Sequence, residues 1–235
     1  MPIPIHIPDD PNAAYLTALL LLGSTAPLVI ATRLVAIARI SSIRLTVPLY
    51  VGLVAGIAVT TVALDPAAFV AAWSAHPAIS LALGIGGIPV ARALDRAIVD
   101  AVRRNTWRPR RPVRLRPGAP LAAVLESGTA LAVLGGWLEE VVYRFVLLGV
   151  LTAISGGVVA VVVTTVSYAL IHSGFGWSQV AAKLALGSFF LLLLAVSGGL
   201  LAPCVAHAGF NALAMRALSQ QVGRVAPLPA RHVVS

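Results

Sequence analysis

Ionisable side chains are excluded from most of this chain. Long apolar runs follow one another, and the charges are gathered into a few short stretches between them. Only 11% of the residues are charged, against 59% hydrophobic. A soluble domain carries about 25% charged residues. Surface this apolar is at home only in lipid, where unpaired backbone N–H and C=O groups find no partner. The spanning elements must therefore satisfy their own hydrogen bonds. An all-α, polytopic membrane bundle of about seven, possibly eight, transmembrane helices is expected.

The charges that remain orient the bundle. Lys plus Arg number 17 and Asp plus Glu 8, a balance of +9, and Lys183 is the only lysine. A basic balance can mean nucleic acid. Basic loops that hold helices on the cytoplasmic side account for it without any such partner, and none is expected. An Ala-, Val- and Arg-rich chain almost without Lys looks like the product of a GC-rich bacterial genome, so a bacterial cell membrane is expected. The single Cys204 excludes an intrachain disulfide and a cysteine-based zinc site. The first residues carry Asp9 and Asp10 but no Lys or Arg. That is the wrong sign for a cleavable signal peptide, so the first span is expected to insert as it stands.

Along the chain, prolines at 2, 4, 8 and 11 mark an extended tail. Spans are expected near 13–32 and 46–64. An apolar stretch at 67–90 is interrupted at Pro77, as one kinked span or a short helix and a span. Arg92, Asp95, Arg96, Asp100 and Arg104 follow at helical spacing, then an Arg- and Pro-rich loop at 103–117. The segment 120–154 would be about 52 Å long as one helix, more than the roughly 30 Å hydrocarbon core. Ser155-Gly156-Gly157 and Ser197-Gly198-Gly199 read as turns, separating spans at 158–171, 179–196 and 200–218. Three regions result: 1–118 with the N-terminal spans and basic loop, 119–218 as a helical core, and 219–235 as a basic tail.

A few polar residues lie where lipid depth makes them costly, and such residues are functional by default. Glu139, Glu140, Tyr143 and Arg144 span about 140° of one helix face. Glu140 and Arg144 are set to pair at i,i+4, which leaves Glu139 without a cation on its own helix. Tyr168 and His172 stand four apart on the next span, and His207 and Asn211 four apart on the last. Taken singly, the first cluster is equally a structural ion-pair network and the others interhelical hydrogen-bonding residues. Together they supply a carboxylate, two imidazoles and an amide, the groups needed to activate water and hold an oxyanion. No Ser or Cys stands in a nucleophile context.

The three motifs, Glu139-Glu140-x-x-x-Arg144, Tyr168-x-x-x-His172 and His207-x-x-x-Asn211, resemble those of the CPBP family. This is the CAAX-protease and bacteriocin-processing, or Abi, family, which includes the type II CAAX prenyl endopeptidases. The resemblance covers about 120–218. It implies an intramembrane glutamic endopeptidase without cofactor or metal, with its active site facing the cytoplasm. Glu139 and His172 would activate water, and His207 and Asn211 would stabilise the oxyanion. Glu140, Arg144, Tyr143 and Tyr168 would support the site. Tyr143 and Phe145 flank the arginine where the family often has Phe and Gly, and Tyr168 replaces the usual Phe.

A peptide or membrane-protein tail is the implied substrate, and the sequence does not specify an oligomeric state. The competing readings are a non-catalytic scaffold or immunity-type member of the family, a zinc protease built on Glu139, His172 and His207, and a transporter using Glu139 as a proton site. Seven spans place the 33–44 loop, the 103–116 loop and the C-terminal tail all in the cytoplasm. A break at Gly135-Gly136 would give eight and put the tail outside. Cysteine labelling at Arg110 and at Arg231 should report the cytoplasm at both; opposite sides would sink the seven-span topology.

Overall fold

The computed structural model describes residues 43–105, 121–173 and 176–224, and among these the regular structure is entirely helical. The first expected span, the Arg-rich stretch beyond Asn105 and Arg231 lie outside the described residues. Helix α1 covers Ile43–Leu64, α2 Pro66–Trp73 and α3 Pro77–Asn105. Helix α4 covers Leu121–Glu140 and runs directly into a π-helical segment, Val141–Leu147, which continues as α5, Leu148–Ser155. Helices α6 (Gly157–Leu170), α7 (Trp177–Ser197) and α8 (Leu201–Arg224) complete the bundle.

Local chemistry sets most of these boundaries. Asp65 caps α2 by accepting from the Ala68 N–H at 2.9 Å, and Pro66 occupies the first turn, where a missing N–H costs nothing. Thus the stretch at 67–90 is a short helix and then a longer one, broken at the extended Ser74. Helix α3 does not stop at the polar residues. It runs for 29 residues and carries Arg92, Asp95, Arg96, Asp100 and Arg104 along it. Gly198, in the left-handed conformation with φ 69°, ends α7 and turns the chain into α8. No break occurs at Gly135-Gly136: α4 passes through both, so the division that would have given an eighth span is not made.

Stretches of α1 (Val47–Leu64), α3 (Pro77–Arg104) and α7 (Trp177–Ser197) are each long and apolar enough to cross a membrane. The outward face of α6 is a row of exposed valines, among them Val158, Val162 and Val166, as lipid contact requires. The chain is an all-α membrane protein.

Helix α8 packs between α3 and α4 and also touches α7. Without a hydrophobic drive between helices in lipid, small residues permit the close approach that makes dispersion count. On α3, a methyl added at Gly84 would lie 2.8 Å from Val205 Cβ and 2.9 Å from the Ala202 carbonyl of α8. In return Gly209 of α8, between His207 and Asn211, admits Ile88 of α3. A second core joins α2 to the π-helical segment and α4. Phe69 meets Phe145 edge-on at 5.5 Å between ring centroids, and Trp73 packs on Trp137 at 5.5 Å. The Leu200 N–H closes this end by donating to the Ala72 carbonyl at 3.0 Å.

A methyl at Gly209 would overlap both Ile88 Cδ1 and Cγ1. Overpacking of this kind costs about 1–3 kcal/mol. Gly209→Ala should lower the unfolding temperature in detergent. Combined with Ile88→Ala, it should cost less than the two changes summed; strict additivity would show that the two positions do not meet.

Candidate active site

The site begins with a carboxylate pair at the end of α4. Glu139 and Glu140 are adjacent in sequence, so they leave the helix about 100° apart and meet different neighbours. Both are buried, Glu140 completely. Burying two carboxylates in a protein surrounded by lipid requires partners from several helices at once.

Glu140 is met on both sides. One turn along the chain, Arg144 Nε lies 3.2 Å from Glu140 Oε2, both side chains fully buried. The approach is an ion pair and is not aligned as a hydrogen bond. Glu140 Oε1 accepts from His207 Nδ1 of α8 at 2.7 Å, in the range of charge-assisted bonds. The guanidinium has further neighbours: Nη2 donates to the Gly187 carbonyl of α7 at 3.2 Å, and the group lies 4.8 Å over the Tyr168 ring of α6, while Nε and Nη1 make no hydrogen bond among the described residues. The expected i,i+4 pair is present, then, and it also anchors His207.

All seven residues of the π-helical segment are buried. Its hydrogen bonds reach one residue further than those of an α-helix, so each turn is wider and holds more side chains. Tyr143, Arg144 and Phe145 are thereby buried consecutively. Tyr143 meets Tyr168 edge-on at 5.6 Å, while Phe145 faces α2.

Two histidines are oriented by what their Nδ1 atoms touch. His172, just beyond α6, has Nδ1 3.1 Å from the Tyr168 carbonyl. A carbonyl can only accept, so Nδ1 carries the proton and Nε2 is the basic nitrogen. His207 donates from Nδ1 to the Glu140 carboxylate, and its Nε2 is directed into the cluster. That Nε2 lies 3.3 Å from the Tyr168 hydroxyl and 3.8 Å from Glu139 Oε2. Phe190 stacks on the His207 ring at 4.7 Å and fixes its plane.

Tyr168 is the hub of the arrangement. It is fully buried, and its ring or hydroxyl touches Tyr143, Arg144, His172 and His207. Asn211 stands one turn beyond His207 on α8, and its Nδ2 donates to the Ala132 carbonyl of α4 at 2.8 Å. One of its two amide protons is thus used in holding the side chain, which leaves the second for another acceptor.

Three features went unread in the sequence. Tyr50, on α1, donates its hydroxyl to Glu139 Oε1 at 2.6 Å, although every polar residue singled out lay in the second half of the chain. A phenol in an apolar span must find a partner, which was the available signal. Gly136 lets α4 approach α8 beside the site: a methyl there would lie 2.7 Å from Asn211 Nδ2 and 3.1 Å from His207 Cδ2. Lys183, noted only as the lone lysine, is buried in α7, 3.9 Å from Asp95 of α3 and 4.6 Å over the Phe210 ring of α8. It ties three helices together next to the site.

Removing one member of a buried ion pair costs about 3–5 kcal/mol. Arg144→Ala should therefore lower thermal stability in detergent. Glu140→Ala should lower it more, because it strands both Arg144 and the His207 Nδ1–H. The double variant should recover part of the summed loss. Equal effects of the two single changes would show that Glu140 does not hold His207.

Residues 122–213, about two fifths of the chain, match the sequence family described as type II CAAX prenyl endopeptidase Rce1-like. No curated protein and no solved structure matches the chain. The matched segment begins in α4 and ends in α8, and it contains all three polar motifs whose side chains converge in the bundle. Residues 122–213 are thus similar to the Rce1-like family of type II CAAX prenyl endopeptidases.

Proposed function

We propose that the chain is an intramembrane endopeptidase that cleaves a peptide bond with water activated by Glu139 and His172, the oxyanion being held by His207 and Asn211. The observation that carries this reading is the inequality of the two buried glutamates. Neither Oε2 accepts a hydrogen bond among the described residues, but Glu140 Oε2 lies 3.2 Å from the Arg144 guanidinium and its Oε1 is taken by His207, whereas Glu139 Oε2 has only His207 Nε2 near it, at 3.8 Å. A buried carboxylate oxygen with no fixed donor is suited to take a proton, as a general base must.

The steps follow from the donors and acceptors. Glu139 removes a proton from water, with the basic Nε2 of His172 to share or relay it. The resulting hydroxide adds to the scissile carbonyl carbon, and the carbonyl electron pair moves onto oxygen. His207, protonated at Nε2, and the second amide proton of Asn211 would donate to that oxygen. Collapse of the intermediate breaks the C–N bond, and the proton taken from water goes to the leaving amine. Glu140 and Arg144 act through position: Glu140 keeps the His207 Nδ1 proton in place, so that the ring presents Nε2 to the substrate side. The substrate class suggested by the matched family is a peptide with a CAAX-type C-terminus. A processed peptide or the tail of a membrane protein is the broader expectation, with the site reached from the cytoplasm in a multi-pass cell-membrane protein.

Peptides released from membranes carrying wild-type protein should be missing from membranes carrying Glu139→Gln or His172→Ala, with both variants inserted at normal levels. Asn211→Ala should retain activity reduced by about 10²–10³, the usual effect of losing one oxyanion donor. Full activity in Glu139→Gln would overturn the glutamate mechanism. Loss of activity with a chelator and its return with zinc would replace that mechanism with a metal-dependent one. A wild type that cleaves nothing, but whose cellular effect is reproduced by Glu139→Ala, would leave a non-catalytic scaffold.

A further inference from the structure

The matched family segment starts at residue 122, yet one of the two oxygens of Glu139 is bonded to a residue 89 positions upstream of it. Tyr50 of α1 reaches into the bundle, and its hydroxyl stands 2.6 Å from Glu139 Oε1. A tyrosine near the end of a membrane span commonly turns its hydroxyl toward the headgroups. Here it turns inward. Simple satisfaction of a buried phenol would need only a backbone carbonyl. A carboxylate acceptor at this distance is a charge-assisted bond, about twice the strength of a neutral one.

That bond makes the two oxygens of Glu139 different. The last torsion of a glutamate is broad and nearly two-fold, so a carboxylate held at neither oxygen exchanges them freely. With Oε1 held by the phenol, Oε2 is directed toward His207 Nε2, 3.8 Å away. Helix α1 is itself fixed against α4 and the π-helical segment, with Val51 and Val54 buried in the contact. Tyr50 is therefore presented from a packed helix, and its hydroxyl has a fixed origin.

We infer that Tyr50 is the positioning residue of the catalytic carboxylate: its phenol occupies Glu139 Oε1 and so assigns proton transfer to Oε2. This inference rests on the reading of Glu139 as the general base, and it extends the catalytic unit to α1, outside the matched segment. It also gives Glu139 a single rotational state before substrate arrives, which is the kind of preorganisation that lowers a barrier without tightening substrate binding.

The test compares wild type, Tyr50→Phe, Glu139→Gln and a chain carrying 3-fluorotyrosine at position 50, all in detergent or liposomes. The substrate is a peptide identified by its release from wild-type membranes. Tyr50→Phe should lower kcat roughly ten- to a hundredfold, as expected for losing a hydrogen bond to a charged group, with KM little changed. The fluorinated residue keeps the hydroxyl and should restore most of the rate. A readout independent of turnover is the infrared carboxyl band of Glu139, isolated as the difference between wild type and Glu139→Gln. It should shift and broaden in Tyr50→Phe. An unchanged band overturns the inference, whether or not a cleaved peptide has been found. So does wild-type kcat in Tyr50→Phe alongside an inactive Glu139→Gln. Activity in Glu139→Gln would instead overturn the proposed mechanism itself, whatever Tyr50 does.

Discussion

A guanidinium inside a membrane bundle is tolerable only where its charge is met by the protein, and Arg144 is met from three sides. Glu140 supplies the counter-charge, the Gly187 carbonyl takes an N–H, and the Tyr168 ring covers the face. Each partner comes from a different part of the bundle: the end of α4, the middle of α7 and the last turn of α6. Arg144 therefore fixes the mutual placement of three helices. Because Glu140 also binds His207, the same charge fixes α8 as well. In lipid the alternative to this arrangement is an unpaired ion, which is far costlier than any packing defect. The catalytic reading depends on it, since Glu139 is the residue just before Glu140 and its direction follows from that of Glu140.

Charge balance reinforces the same point. The cluster holds two carboxylates, Glu139 and Glu140, and one guanidinium, which pairs with Glu140; His207 touches one carboxylate and approaches the other. A second proton on the His207 ring would bring the formal charge of the cluster to zero, and it would sit on Nε2, the atom required as an oxyanion donor.

Much of this was legible because a membrane chain has so few polar residues. Glu139, Glu140, Arg144, His172, His207 and Asn211 stood out by their depth, and helical spacing was enough to pair Glu140 with Arg144. Turn chemistry located the ends of α5 and α7, where Gly156 and Gly198 adopt positive φ. Other features left no such mark. Tyr50 sits in a span that reads as generic, and tyrosine near a span end looks like an interfacial anchor. Gly136 belonged to a glycine pair that read as a possible break; its role is to let two helices touch. The Lys183–Asp95 pair joins helices whose adjacency no local pattern encodes. Arg92, Asp95, Arg96, Asp100 and Arg104 recur at helical spacing, and α3 carries all five of them before it ends at Asn105.

The π-helical segment passes between the two glutamates and everything downstream of them. Its wide turns hold more residues than α-helical turns would over the same rise, so the angle between the Glu139–Glu140 face and the face of α5 is set by how many residues the segment contains. Excision of one residue here would let the rod revert to ordinary helix and rotate one half against the other while leaving every polar side chain in the sequence. Residue number, and not only residue identity, is thus under constraint at this point. Relatives that keep all three motifs but differ in length across this short interval would present the same chemical groups to different neighbours.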